Sequence, residues 1–198
     1  MTLIELLIAL AISTVLIIAI MDTLRMVLVL TTQKPLTLLA IDQARTTAST
    51  FANELRNATV GSDGSYPLIE ASSTEIIFFT PYRSGAVSSV RRVRYYVASS
   101  TLYKGIVTPS GTPPSYATST EQTSRVLPLA SSSLPLFSYY DGTFTGSTTP
   151  LGQPVAVTNV NYVQMSLTML RQDTRNSTST FTFSTGATVR NLKTNLGN

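Results

Sequence analysis

The side chains most often used for covalent chemistry and metal binding are missing from this sequence. The chain has 198 residues and contains neither cysteine nor histidine. This excludes thiol nucleophiles, zinc sites built from Cys and His, and the Ser-His-Asp triad. No disulfide can form, so the fold must be stabilised by packing. We expect a protein that is not an enzyme and needs no cofactor.

Carboxylates are the remaining candidates for acid–base catalysis or metal binding. Hydrolysis by paired carboxylates needs two acids on opposite sides of one site, and the spacing of the acids along this chain indicates no such pair. The segment Asp141-Gly142-Thr143 is first of all a turn signature. We predict no metal site, with calcium binding as the minor alternative. The acids considered are Asp63, Glu70, Glu75, Asp141 and Asp173.

The densest basic cluster lies in a segment with strand-like composition, Val90 to Ala98. Side chains alternate across a strand, so Arg92, Arg94 and Tyr96 share one face. Such a face can follow nucleic-acid phosphates while the tyrosine stacks on a base. A few arginines give little affinity at physiological salt, and the net charge is only +4. We favour a solvated or subunit-facing strand and keep nucleic-acid contact as the minor alternative.

A long apolar run with one acid lies at the N-terminus. Leu6 to Met21 contains no charged residue, and Glu5 is the only charge before it. About 20 apolar residues span a bilayer as a helix, and an ionisable group in such a span marks a functional site. A cleaved signal peptide would need a basic region before the apolar core and a small-residue cleavage site after it. The segment Thr2-Leu3-Ile4-Glu5 does not provide that basic region, so we predict a transmembrane helix.

The first ten residues, MTLIELLIAL, resemble the mature N-terminus of type IV pilins and of the pseudopilins of type II secretion and DNA-uptake machines. The shared pattern is a run of bulky apolar residues with Glu at the fifth position. The family usually has Phe where this chain has Met1, and its precursors carry a basic leader ending in Gly. The resemblance implies that numbering starts at the processed terminus, with the Met1 amine made and N-methylated by the prepilin peptidase. An initiator Met1, without a leader, is the alternative.

The family packs these helices into the centre of a filament, which implies a role for Glu5. A carboxylate moved from water into such a bundle costs several kcal/mol unless a cation meets it. In the family that cation is the N-terminal ammonium of a neighbouring subunit or of the same chain, and the pair sets the axial register. A protonated Glu5, or one that reaches the interface, is the alternative. The residues expected in the filament core are Leu3, Leu6, Leu7, Ile8 and Leu10.

Helical sequence continues beyond the apolar run. Pro35 lacks an amide hydrogen, which predicts a kink or break near residues 31–34. Within a filament, the hydroxyl residues also predict a short non-helical stretch between Ser13 and Asp22. Further along, apolar residues recur at spacings of three and four, which predicts a helix face docked on a sheet. Those residues are Ile41, Ala44, Ala48, Phe51 and Leu55.

The remainder reads as strands, because β-branched and aromatic runs alternate with Gly, Pro, Ser and Asp. Ser99-Ser100 predicts a hairpin, and the Pro- and Ser-rich residues Thr108 to Thr123 predict a surface excursion. The predicted strands are Tyr66–Glu70, Thr74–Thr80, Val90–Ala98, Thr101–Val107, Pro135–Tyr140, Val157–Leu170 and Thr180–Arg190.

The predicted fold class is α+β, with a long N-terminal helix whose second half packs on an antiparallel β-sheet head, as in pilins. Residues 1–34 are predicted as a hydrophobic transmembrane or filament-core helix. Residues 35–198 are predicted as a globular head with a helix over 36–59.

The resemblance implies a structural subunit, the major pilin, of an extracellular type IV pilus-like filament that lies in the cytoplasmic membrane before assembly. Its implied partners are copies of itself in a helical homopolymer, the prepilin peptidase/methyltransferase and the assembly machinery. One alternative is a minor pilin or a J-type pseudopilin, which the segment Phe137 to Asp141 resembles. The other is a subunit that displays an adhesin or DNA-binding surface on the filament.

Overall fold

A computed structural model describes residues 2–84, 87–133, 135–172 and 178–189. The chain forms two compact units. One comprises Met1–Ile41 with Arg171–Ser179, and the other comprises Asp42–Leu170 with Thr180–Asn198. The change from the first unit to the second along the N-terminal helix falls at Asp42. The predicted domain boundary at residue 34 stays a prediction.

The first element is a single helix, α1, which covers Leu3–Arg56. Glu5 lies in its first turn and Arg56 in its last, which matches the sign of the partial charge at each helix end. Helix α1 runs without a break across Pro35, so the chain does not leave the helix near residues 31–34. A proline removes one amide hydrogen bond, whereas the turns on either side keep theirs. A kink at Pro35 stays a prediction.

Two antiparallel sheets follow the helix, so the α+β class is confirmed. The first sheet is a five-stranded meander in the order β1-β2-β3-β4-β5, and the second is three-stranded in the order β6-β7-β8. The strands of the first sheet are β1 (Leu68–Ala71), β2 (Glu75–Ser84), β3 (Val87–Ala98), β4 (Thr101–Val107) and β5 (Gln122–Pro128). Those of the second sheet are β6 (Phe137–Tyr140), β7 (Tyr162–Gln172) and β8 (Thr178–Thr188).

The predicted hairpin at Ser99-Ser100 is confirmed. Ala98 of β3 pairs with Thr101 of β4, which leaves the two serines as the turn. Both serines adopt positive φ angles of 47° and 54°. Two such residues in succession form a type I′ turn, whose twist matches that of the flanking strands.

Two strand predictions were wrong. Strand β5 was not predicted, because its residues are mostly exposed and polar and show no apolar alternation; only Leu127 is buried. It lies beside β4, and Thr123 pairs with Gly105. The predicted strand Val157–Leu170 instead begins with a 3-10 turn at Val157–Asn159, and β7 starts at Tyr162. Within β7 the predicted apolar face is buried, at Val163, Met165, Leu167 and Met169.

One hydrophobic cluster contains residues of α1 and of both sheets. The ring of Phe51 lies 6.2 Å from that of Phe78 in β2 and 5.6 Å from that of Phe137 in β6. Of the five residues in the predicted helix stripe, four are buried, namely Ala44, Ala48, Phe51 and Leu55. Ile41 is instead 40% exposed. The buried part of the stripe therefore begins at Ala44.

A polar contact joins α1 to the first sheet beside these rings. Lys104 Nζ of β4 lies 2.5 Å from Glu54 Oε1, and the Tyr95 hydroxyl donates to Glu54 Oε2 at 2.7 Å. Thr80 also donates to the Glu54 carbonyl, at 3.3 Å. Glu54 is therefore bonded by its side chain and its backbone, which fixes this turn of the helix against β2, β3 and β4.

Candidate functional site

The first part of α1, Leu3–Leu28, is the most distinctive surface of the chain. It is long and apolar enough to anchor in a membrane or to act as a signal sequence. Its large apolar side chains are exposed on all sides, from 51% at Ile20 to 82% at Leu3. A helix that is hydrophobic all round is normally buried in a membrane or inside a larger protein assembly. This segment therefore needs an apolar environment that the described part of the chain does not supply.

The predicted filament-core residues lie on this exposed surface. Four of them follow helical spacing along one face, and Ile8 lies beside them. Their exposed fractions range from 55% to 82%, at Leu3, Leu6, Leu7, Ile8 and Leu10. They are thus available for contact with hydrocarbon or with another apolar helix.

Among the residues that the structure describes, one hydrogen-bond donor contacts the Glu5 side chain. The backbone N–H of Thr2 donates to Glu5 Oε2 at 3.3 Å. Thr2 precedes the first helical residue and Glu5 is the third residue of the helix, so the contact is one half of a capping box. This role of Glu5 was not predicted from the sequence, although the Thr-x-x-Glu spacing signals it. Met1 lies outside the described residues, so its ion pair with Glu5 stays a prediction.

The hydroxyl groups in this segment are bonded within the helix. Ser13 Oγ donates to the Ala9 carbonyl at 2.7 Å, and Thr23 Oγ1 donates to the Ala19 carbonyl at 2.8 Å. Such contacts let a polar side chain lie in an apolar medium, because its donor is satisfied locally. In the single chain the helix is continuous from Ser13 to Asp22. The non-helical stretch predicted there concerns the filament and stays a prediction.

The basic cluster of β3 is engaged within the sheet. Arg94 Nε lies 2.6 Å from Glu75 Oε1, and Arg94 Nη1 lies 3.3 Å from Glu121 Oε2. The contact with Glu75 raises the pKa of Arg94. The Arg94 guanidinium also stacks 4.2 Å above the Tyr96 ring. Arg92 Nη1 donates to the Tyr116 carbonyl at 3.4 Å.

This arrangement bears on the nucleic-acid alternative. Phosphate binding depends on positive charge that releases counterions from the nucleic acid. Two carboxylates already surround the Arg94 guanidinium, so Arg94 and Tyr96 lie together but do not form an open basic surface.

The segment between β4 and β5 covers part of the same sheet face. The Tyr116 ring lies 4.8 Å from that of Phe79, and its hydroxyl donates to the Val90 carbonyl at 2.9 Å. Glu121 lies directly above Gly105, where a Cβ atom would collide with its carboxylate. The predicted surface excursion is therefore held against the sheet by Tyr116 and by Glu121. A lone tyrosine in a Pro-, Ser- and Thr-rich segment is the signal that could have indicated this.

The acids considered for metal binding do not converge. Among the described residues, no three acidic side chains form a group that could hold a metal ion, and Asp173 lies outside the described residues. Asp141 Oδ1 accepts hydrogen bonds from the Thr143 hydroxyl at 2.6 Å and the Thr143 N–H at 2.9 Å, which lowers the pKa of Asp141. The predicted turn at Asp141-Gly142-Thr143 is confirmed.

Comparisons with protein-family models and with curated proteins find no match to this chain. Three features of the chain bear on its function: the exposed apolar segment of α1, Glu5 and the α+β organisation.

Proposed function

We propose that this chain is a structural subunit, the major pilin, of an extracellular type IV pilus-like filament. The observation that carries the proposal is the segment Leu3–Leu28. It is apolar and exposed on every side, it has a carboxylate in its first turn, and its helix continues to Arg56, where the residues are packed in an α+β head.

A filament core and a membrane both provide the apolar environment that this segment requires. Burying apolar surface contributes roughly 25 cal/mol per Å² removed from water. Before assembly the lipid supplies that environment, and after assembly identical helices of neighbouring subunits supply it. The face formed by Leu3, Leu6, Leu7 and Leu10 is the contact surface in that bundle.

Glu5 selects the register of packing in this proposal. The Thr2 N–H, at 3.3 Å, is a neutral donor and does not by itself neutralise the carboxylate charge. A desolvated carboxylate costs several kcal/mol, so a neighbouring N-terminal amine that pairs with it favours one axial position over all others. A subunit docked out of register leaves both charges unpaired.

A minor pilin or J-type pseudopilin that primes assembly shares this helix and is the alternative. The segment that resembles J-type pseudopilins forms β6, in which Phe137, Tyr139 and Tyr140 are buried. These three side chains therefore support the head fold. Abundance in filaments separates the two roles.

The proposal is tested on sheared surface filaments of the native cell. Negative-stain images and mass spectrometry should show filaments in which this chain is the main component. A deletion strain should lack them, and expression of the chain in that strain should restore them. Recovery of the chain only in the membrane fraction would overturn the proposal, and recovery in trace amounts would assign it the minor role.

A further inference from the structure

The edges of the two sheets differ in how they resist pairing with another chain. An exposed edge strand is a template for strand addition, and proteins limit this with charges, proline, bulges or short length. Strand β1 has four residues, carries Glu70 and has a register shift next to it. Strand β5 carries Arg125, ends at Pro128 and pairs with β4 through a second register shift. Both edges of the five-stranded sheet are thus protected.

The β6 edge of the second sheet is covered by the rest of the chain. The Phe137 N–H donates to the Ser73 carbonyl at 3.0 Å, and the Tyr139 carbonyl accepts from the Leu151 N–H at 2.8 Å. Strand β6 is also only four residues long. No further strand can add along this side without displacing those contacts.

Strand β8 lacks the short length, the charges and the proline that protect the other edges. It runs for 11 residues without a charge or a proline. In the part of the chain that the structure describes, it is the last strand of its sheet. The side chains of Thr180, Thr182 and Ser184 are exposed, whereas Phe181 and Phe183 pack against the hydrophobic cluster. Three of four edges are protected, which sets β8 apart as an edge suited to pairing.

We propose that β8 pairs antiparallel with β8 of a second copy of this chain, about a two-fold axis perpendicular to the sheet. Such an axis keeps the phenylalanine faces of both copies on the core side and the hydroxyl faces of both on the solvent side. The two three-stranded sheets become one six-stranded sheet. No like charges meet across the junction, because β8 carries none.

The exposed hydroxyls of β8 already make the kind of contact that this pairing would extend. Thr182 Oγ1 lies 2.9 Å from Thr168 Oγ1, and Ser184 Oγ lies 3.1 Å from Ser166 Oγ, both across the β7–β8 pair. Hydroxyl pairs of this kind stabilise neighbouring strands. A second β8 would continue the same row on its other side.

This contact does not depend on the proposed filament. Subunits along a polar helix all have the same orientation, whereas a two-fold axis relates opposed strands. The β8 contact therefore joins separate molecules, or two filaments side by side.

The absence of native cysteine allows a direct test in the full-length protein in detergent. Single variants Thr180→Cys, Thr182→Cys and Ser184→Cys are oxidised mildly, and disulfide-linked dimer is measured by non-reducing gel. Opposed Cβ atoms in an antiparallel pair lie about 4.5–5.5 Å apart, close to the distance that a disulfide needs. At least one β8 variant should form dimer. Ser124→Cys, at an exposed position on the protected β5 edge, is the matched control and should not.

A lysine on the same edge distinguishes specific strand pairing from disulfide formation by random encounter of two chains in one detergent micelle. Adding Ser184→Lys to Thr182→Cys should abolish the dimer, because a lysine on an edge strand opposes the addition of another strand. Adding Ser124→Lys should leave the dimer unchanged. Three results would overturn the proposal: no dimer in any β8 variant, a dimer that persists with Ser184→Lys, or dimer only when Thr182→Cys and Ser124→Cys chains are mixed. The last would show that β8 pairs with β5.

Discussion

Phe51 and Tyr95 meet edge to face, with ring centroids 5.4 Å apart and ring planes at 89°. Phe51 belongs to α1 and Tyr95 to β3, and neither side chain is more than 1% exposed. Phe51 also touches Phe137 of the second sheet. One helical side chain thus joins the helix to both sheets.

Truncation of Phe51 should destabilise the head. Phe51→Ala removes these ring contacts and leaves a cavity, so the free energy of unfolding should fall by about 3–5 kcal/mol. Denaturant unfolding of the full chain in detergent, followed by tyrosine near-UV circular dichroism, measures this. Leu39→Ala on the same helix, where the side chain is 60% exposed, is the control and should have little effect. Equal losses for the two variants would contradict the packing role.

Glu54 and Lys104 should be energetically coupled. Glu54→Leu leaves the Lys104 ammonium and the Tyr95 hydroxyl without their acceptor in a partly buried position. We expect a loss of about 1–3 kcal/mol from each single variant, Glu54→Leu and Lys104→Leu. The double variant should lose less than the sum of the two, since the interaction can be lost only once. A double-mutant cycle from denaturant unfolding gives the coupling, and strict additivity would refute it.

The head should lose stability in alkali. Burial raises the pKa of Tyr95, and the nearby Glu54 raises it further. Burial likewise raises the pKa of Tyr139, and the charges of Glu70 and Glu75 act in the same direction. A pKa that is higher in the folded state means that the stability is fully present below the unfolded-state pKa of about 10. It is lost as the pH rises above that value. The free energy of unfolding, measured on both sides of this pH, should fall less steeply in Tyr95→Phe than in the parent protein. An equally steep fall would show that Tyr95 ionises freely.

Gly105 should be needed for the contact between Glu121 and Arg94. A Cβ atom at residue 105 would collide with the Glu121 carboxylate. Gly105→Ala should therefore displace the end of the Glu121 side chain and weaken its ion pair with Arg94, which should lower the free energy of unfolding by up to about 1 kcal/mol. Gly152→Ala is the control, because no atom lies within 4 Å of its added Cβ. Thermal unfolding compares the two variants. An unchanged melting temperature in Gly105→Ala would show that Glu121 does not lie against the sheet at this position.

Glu5 should be required for assembly but not for folding. Glu5→Ala leaves the apolar helix intact, so the protein should remain in the membrane while surface filaments are lost. Asp42→Asn, at an exposed acid further along α1, is the control and should assemble normally. Quantitative filament counts beside immunoblots of the membrane fraction measure both effects. Normal filament numbers in a Glu5→Ala strain without a parental copy would show that assembly does not require Glu5.

Features that depend on neighbouring residues could be predicted from the sequence alone. The apolar helix follows from an uninterrupted run of residues, and the turn at Ser99-Ser100 follows from two serines between strand-forming segments. The buried face of β7 follows from its alternation. Each of these depends on local periodicity, which the order of residues contains directly.

Only the tertiary structure decided which distant residues meet. The polar strand β5 forms because β4 offers it backbone partners, and nothing in its composition signals this. Arg94 is paired with Glu75 and Glu121, which lie 19 and 27 residues away in the chain. The register of the strands brings these charges together, and the lack of a side chain at Gly105 leaves room for Glu121. Arg94 of the basic motif is thus neutralised in the fold, because the charge around its guanidinium depends on residues that the motif does not contain.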